Sequence, residues 1–163
     1  MQSYSFNPDL LRAKYKQERD KRLREDGNEQ YQEVSGDFSY FVDDPYINEE
    51  IERKALTDSY EIVIIGGGFG GVLAASRLKE AGFSDFKIIE KGGNFGGTWY
   101  WNRYPGASCD IESYIYFPLL EETKFIPGKK YTNAPETLEY FDVISEKFGL
   151  NEHAIFQTEV NDV

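Results

Sequence analysis

Hydrophobic positions along this chain fall into three regimes. From Leu10 to Leu23 they are sparse: Leu10, Leu11, Tyr15 and Leu23 form a thin stripe among charges, the pattern of a helix lying mostly in solvent. Asn7-Pro8-Asp9 opens that helix with a capping side chain and a proline in the first turn. Asp26-Gly27 closes it after about Glu25. Residues 28–59 show no clean period and predict an extended, acidic arm, with a turn at Asp43-Asp44-Pro45 and a short helix around 47–56. From Tyr60 the pattern changes. Tyr60–Ile65 is a continuous apolar, β-branched run, which is how a strand covered on both faces of a parallel sheet reads. Val72–Ala81 has helical spacing with small residues at Ala74, Ala75 and Ser76, and Gly82 stops it. Phe86–Glu90 is a second strand. Residues 91–127 read as loop, with a short strand or helix at 111–117. Pro135 starts a helix over 135–148 that ends at Gly149, and Ile155–Val160 alternates like a strand.

Strand, glycine loop, helix and strand in this order open a Rossmann-type α/β fold. The chain therefore divides into a helical and extended N-terminal arm, 1–59, and a partial Rossmann-type domain, 60–163. In the loop, Gly66, Gly68 and Gly71 satisfy GxGxxG, with Phe69 between them. Gly66 permits the tight turn out of the strand. Gly68 lets the backbone approach a pyrophosphate, and Gly71 lets the helix pack closely on the strand. The free N–H groups at the start of the helix suit the phosphates. Glu90 lies roughly 20 residues further on, where an acid accepts hydrogen bonds from ribose hydroxyls. It would repel a 2′-phosphate, so this site fits FAD or NAD and not NADP.

A second run, Gly96–Asp110 (GGTWYWNRYPGASCD), is unusual in composition. Gly92-Gly93 and Gly96-Gly97 allow the backbone close to phosphates and a ribityl chain. Trp99, Tyr100, Trp101 and Tyr104 offer flat apolar surface, Arg103 a fixed positive charge, and Asp110 an acid. That set suits a flavin, whose ring needs a wall and whose chemistry needs tuned charge.

The chain has 163 residues, 40% of them hydrophobic, enough for one domain with a real core. Its net charge of −11 argues against a nucleic-acid partner. No apolar run approaches the roughly 20 residues of a transmembrane span. Met1-Gln2-Ser3-Tyr4 does not read as a signal peptide. A single cysteine, Cys109, excludes an intrachain disulfide and points to a cytoplasmic protein. One cysteine and one histidine, His153, do not make a conventional zinc site, so no metal is expected. No partner for a nucleophilic Cys109 is evident, and His153 reads as a surface or loop residue. Seven bases between Arg12 and Arg24 face ten acids between Asp26 and Asp58, which reads as a solvated basic helix beside an acidic loop.

GGTWYWNRYPGASCDIES resembles the signature segment of Baeyer–Villiger monooxygenases, kin of the flavin-containing monooxygenases. Lys14–Arg24 resembles the leader of the subgroup with an N-terminal extension, many of them fungal and acting on bulky or polycyclic ketones. The resemblance covers nearly the whole chain. It implies an incomplete three-layer ββα FAD-binding fold, with FAD as cofactor, NADPH as reductant bound mostly outside these residues, and a ketone and O2 as substrates. Gly66, Gly68, Phe69, Gly71, Glu90 and Lys91 would hold the ADP half of FAD. Thr98, Trp99, Tyr100 and Trp101 would line the flavin and its linker. Asp110 and Ile111 would sit beside the isoalloxazine, with Tyr116 contacting FAD from the next segment. Ser108, Cys109 and Asp110 would lie where the nicotinamide arrives. Asp110 is the catalytic candidate, matching an acid that in the family pairs with a mobile arginine. Position 108 is Ser where the family often has Arg, which weakens a charge contact on the NADPH side.

These 163 residues hold neither a second GxGxxG nor the family fingerprint between the two nucleotide motifs. Three readings stand at this point: a segment of a monooxygenase in secondary metabolism that converts a ketone to an ester or lactone; a truncated, non-catalytic flavin-binding or partner protein; and a remnant without ligand. Continuation of the reading frame past Val163 into a second glycine loop separates the first from the others.

Overall fold

The structure, a computed structural model, describes residues 6–32 and 34–163. The opening stretch Met1–Tyr4, whose composition argued against a signal peptide, lies outside them. The chain forms two compact units, Met1–Asp43 and Asp44–Val163. The expected boundary at 59/60 thus moves to 43/44, because residues 44–53 bond to the larger unit at the second glycine run and at 156–158.

In the first unit, α1 spans Pro8–Asp20, capped by the Asn7 side chain on the N–H groups of Asp9 and Leu10. It buries none of its residues. Its charges pair along the helix, Arg12 with Asp9, Lys16 with Asp20, and Lys21 with Glu18, contacts worth little each at such exposure. The helix stops short of Glu25. A further turn would stack Lys21, Arg22 and Arg24 with no apolar stripe to bury, and packing is what holds most helices. Two 3-10 helices, Gly27–Gln30 and Gly36–Val42, follow where an extended arm is predicted.

The second unit is built on three parallel strands, β1 (Ile62–Ile65), β2 (Phe86–Ile89) and β3 (Ala154–Ile155), in the order β1-β2-β3. Ile62 pairs with Phe86 and Ile88 with Ala154. The helix α2 (Phe69–Glu80) connects β1 to β2 and packs on both. The helix α6 (Ala134–Phe148) packs on α2, its capping Asn133 and its left-handed Gly149 closing the two ends. This is the α/β Rossmann-type unit that the pattern predicts, and the described residues form one sheet of it.

The core lies between sheet and helices: Val72 and Ala75 from α2, Phe86 and Ile88 from β2, and Tyr140, Phe141 and Ile144 from α6. Phe69 enters it as well, its ring stacked on Phe141 at 4.2 Å. β1 is not covered on both faces as its apolar run implied. Ile62 and Ile64 pack inward against the core while Val63 and Ile65, on the opposite face, are exposed. The expected helix at 47–56 is absent, and that stretch has no regular secondary structure, with a bend at 48–49. The last strand is shorter than 155–160. At Gln157 the backbone turns left-handed (φ 51°), and Gln157 and Thr158 donate to the carbonyls of Gly92 and Glu90. The 91–127 stretch contains three one-turn helices: α3 (Thr98–Trp101), α4 (Ser113–Tyr116) and α5 (Leu120–Thr123). A chain of buried hydroxyls, Ser113, Thr132 and Thr137, fastens the stretch to the start of α6.

His153 is more than a loop residue. Its ring stacks on Phe86 at 4.1 Å, with one ring nitrogen 3.1 Å from the Phe86 carbonyl and the other 3.3 Å from Lys79 Nζ.

Ile88 is the fully buried centre of the middle strand. Ile88→Ala is expected to cost roughly 2–5 kcal/mol, read as a lower urea midpoint at unchanged slope. Ile65→Thr, on the open face, should stay within roughly 1 kcal/mol.

Candidate dinucleotide-binding site

The two glycine loops meet backbone to backbone. Gly71 lies so close under the first loop that a Cβ on it would stand 1.9 Å from the Gly66 carbonyl oxygen. A Cβ on Gly97 would stand 2.7 Å from Gly68 Cα. Gly96 N–H donates to the Gly67 carbonyl at 3.0 Å. Side chains at Gly71 or Gly97 would therefore force the strand, helix and second run apart.

Glu90 joins the loops. It is 5% exposed, at the end of β2. One carboxylate oxygen accepts the Gly67 N–H, and the other accepts the Gly92 N–H at 2.6 Å. A carboxylate has about four lone-pair directions, so two remain once both loops are bound. The residue predicted to receive a ribose thus also fixes the loops around it.

The first turn of α2 begins at Phe69 with Gly68 at its cap. The leading N–H groups of a helix have no partner within it and carry partial positive charge. A Cβ placed on Gly66 or Gly70 would meet nothing within 4 Å, so the face over this turn is open. Such an end suits a negatively charged group.

The predicted site residues divide. Gly66, Gly68, Gly71 and Glu90 come together as described. Lys91 turns outward to an ion pair with Glu159 at 2.8 Å. Trp99 is buried and donates its indole N–H to the Tyr116 hydroxyl at 3.2 Å. The Tyr116 ring in turn sits edge-on to Phe69 at 5.3 Å, which links α2, α3 and α4. Thr98 is exposed and Trp101 half-buried.

Tyr100 is 2% exposed. Its ring lies 2.8 Å from where a Cβ on Gly92 would stand, and its own Cβ lies 2.8 Å from where one on Gly96 would stand. It packs under the second run and not along an open cleft.

Residues 107–113 run beside 130–134, with Cys109 N–H donating to the Thr132 carbonyl at 2.7 Å. Side chains alternate on such extended backbone. Ser108 and Asp110 are exposed and Cys109 is in the core, so the cysteine side chain is parted from the two it was grouped with. Ile111 is exposed. The Asp110 carboxylate makes no hydrogen bond among the described residues.

The sequence reading missed the contribution of Asp44 and Tyr46. Asp44 accepts both the Tyr100 hydroxyl at 2.6 Å and the Gly93 N–H at 3.0 Å. The Arg103 guanidinium lies 4.0 Å from the centre of the Tyr46 ring and 4.6 Å from that of the Tyr100 ring, in the corner the two rings make. The only signal was the Asp-Asp-Pro turn, which marks a bend and says nothing of what the acid binds.

A parallel β-α-β unit with glycine loops at the carboxyl ends of its strands is a Rossmann-type dinucleotide-binding unit. The family model described as NAD(P)-binding Rossmann-like domain matches residues 64–126. A Baeyer–Villiger monooxygenase of Stachybotrys chlorohalonatus is 46% identical over 95% of this chain and 25% of its own length. Neopentalenolactone D synthase of Streptomyces avermitilis is 44% identical over 95% of this chain and 26% of its own. The solved polycyclic ketone monooxygenase of Thermothelomyces thermophila superposes with a TM-score of 0.77 at 39% identity, covering 91% of this chain and 25% of that one. A crystal structure of OTEMO with FAD and NADP gives a TM-score of 0.58 at 34% identity, covering 63% and 20%. Over nearly its whole length the chain is similar to Baeyer–Villiger monooxygenases, and it spans about a quarter of the length of the curated relatives it matches.

The Tyr100 phenol is pushed up to about 12, first by burial and then by the Asp44 carboxylate that accepts its proton. The folded value lies above that of a free phenol. The stability it contributes is complete below about pH 10 and lost as pH rises through the folded value. In a phenolate absorbance titration, wild type minus Tyr100→Phe should show one tyrosine ionising at about 12. Ionisation of that tyrosine near pH 10 in the folded protein would refute the geometry.

Proposed function

We propose that this chain is the FAD-binding portion of a flavin-dependent, NADPH-using Baeyer–Villiger monooxygenase. The observation that carries the reading is the joining of two glycine loops by Glu90 at the open N-terminus of α2. The α2 N–H groups and the backbone at Gly66 and Gly68 would hold the diphosphate. The free lone pairs of Glu90 would take the adenosine ribose, and a 2′-phosphate there would face its negative charge. The Thr98–Trp101 turn, Ile111 and Tyr116 would border the flavin half. When bound, FAD would supply the redox chemistry by which two electrons from NADPH reduce O2, one oxygen atom entering beside a ketone carbonyl to give an ester or lactone and the other leaving as water.

What this chain contributes is binding and orientation. Asp110 is the catalytic candidate: an exposed carboxylate with no hydrogen bond among the described residues, open to a cation arriving from elsewhere in the enzyme. Ser108 flanks it on the side assigned to the nicotinamide of NADPH. The names of the relatives support a ketone substrate, and those of neopentalenolactone D synthase and the polycyclic ketone monooxygenase favour a bulky one made in secondary metabolism. No helix among the described residues is long and apolar enough to cross a membrane, and a buried free thiol suits a cytoplasmic setting.

Gly68→Ala tests the reading cleanly. In the free fold the new methyl group meets only Gly97 Cα at 3.5 Å, an ordinary contact, yet it enters the space proposed for the diphosphate. Wild type is expected to quench flavin fluorescence when titrated with FAD. Gly68→Ala should weaken that binding by on the order of 10-fold or more, about 1.4 kcal/mol, at unchanged melting temperature. Absence of quenching by folded wild type, or equal quenching by the variant, would contradict the assignment.

A further inference from the structure

Residues 44–53 are held to the larger unit by a run of specific contacts. Asp44 binds the Gly93 N–H and the Tyr100 hydroxyl through one carboxylate oxygen. The Tyr46 hydroxyl reaches the Trp101 carbonyl at 3.4 Å, and its ring lies edge-on to Tyr100 at 5.7 Å. Further along, Ile51 N–H donates to the Gln157 side chain at 2.8 Å, and Arg53 donates to the Phe156 carbonyl at 2.8 Å. Gln157 N–H in turn donates to the Gly92 carbonyl. Both ends of this strap therefore converge on Gly92-Gly93.

That dipeptide is the hinge between two carboxylates. The Gly92 N–H belongs to Glu90 and the Gly93 N–H to Asp44. Asp44 thereby sets the Gly92–Gly93 peptide, the next along the chain from the Lys91–Gly92 peptide that Glu90 holds. Asp44 also pins the Tyr100 ring under Gly92, while the Tyr100 backbone and Cβ lie against Gly96 in the run that touches Gly68. Arg103 depends on the same group. Its guanidinium lies over the Tyr46 ring at 4.0 Å and the Tyr100 ring at 4.6 Å, and its Nε donates to the Tyr100 carbonyl at 2.9 Å. No acid lies within ion-pair distance of it among the described residues, whereas Arg12, Arg19, Arg22, Arg24 and Arg77 each have one.

We propose that Asp44 and Tyr46 are positioning residues of the dinucleotide site: they brace the second glycine run and Arg103 against the first loop. The inference rests on the FAD-binding reading above and adds two residues that touch neither the first glycine loop nor the proposed diphosphate space. An oxygen acceptor is required at 44, because two donors converge on one of its oxygens. An aromatic ring is required at 46, because Arg103 is held by its face.

The test compares FAD affinity and melting temperature across variants of the purified protein. Asp44→Ala is expected to raise the Kd for FAD roughly 10- to 100-fold, the range for losing a charged acceptor of two sheltered donors. Asp44→Asn, which keeps a carbonyl oxygen, should lose no more than about 5-fold. Tyr46→Phe should match wild type, and Tyr46→Ala should lose roughly 3- to 10-fold, the scale of one desolvated cation–π contact. Ile144→Val, in the core of α6, is the control: it lowers melting temperature and leaves the Kd in place.

If wild type binds FAD and Asp44→Ala stays within about 2-fold of it, the positioning role is overturned while the binding reading stands. The same holds if Ile144→Val shifts the Kd as much as Asp44→Ala does. If Asp44→Ala does not fold, the two Tyr46 variants decide on the same readout, and equal Kd values for them overturn the proposal. Failure of folded wild type to bind FAD overturns both readings together.

Discussion

The carboxylate of Glu90 is the constraint around which the site is built. It sits nearly buried at the end of the central strand, and each of its oxygens holds a backbone N–H from a different glycine loop. A buried charge is tolerated only where such donors meet it. Their supply here depends on loops with no side chains in the way. The absent Cβ atoms at Gly67 and Gly92, which would stand within about 3 Å of Phe95 and Tyr100 respectively, are what let both backbones close on the acid. Glycine content, strand register and the position of one acid are thus a single arrangement.

From this centre the remaining packing follows outward. β2 carries Glu90 because Phe86 and Ile88 are locked into the core beside α2. α2 presents its N-terminus to the loops because Gly71 lets it lie against Gly66. Tyr100 then fills the space behind the second run, and Asp44 holds Tyr100. Phe69, Tyr116 and Trp99 form a second aromatic connection on the other side, joining the first turn of α2 to the segment that carries Asp110 and Ile111.

Much of this was legible in the residues. GxGxxG after an apolar strand, with Glu90 ending the next strand, defined the β-α-β unit, and its helix and strand limits differ from the structure by only a few residues. Glycine and alternation are local signals, so they survive without tertiary context. What escaped depended on distant partners. The run at Tyr60–Ile65 reads as buried on both faces because its composition is apolar throughout, yet only the face of Ile62 and Ile64 is packed among the described residues, with Val63 and Ile65 exposed. Tyr100 and Cys109 looked like cleft residues by their place in a motif. Their burial is decided by Asp44 in one case and by the pairing of 107–113 with 130–134 in the other. The 44–53 strap has no period at all, because side-chain and backbone bonds to residues about 50 and 100 positions away replace a repeating pattern.

The central claim is that one carboxylate fixes both glycine loops. Amide resonances of Gly67 and Gly92 test it most directly, recorded for wild type and for Glu90→Gln, which keeps the shape and removes the charge. The account predicts that both amides shift and lose protection from exchange together in the variant, while those of Ile144 and Leu150 in the core stay in place. Movement of only one of the two glycine amides, or of neither, in a variant that remains folded would contradict it.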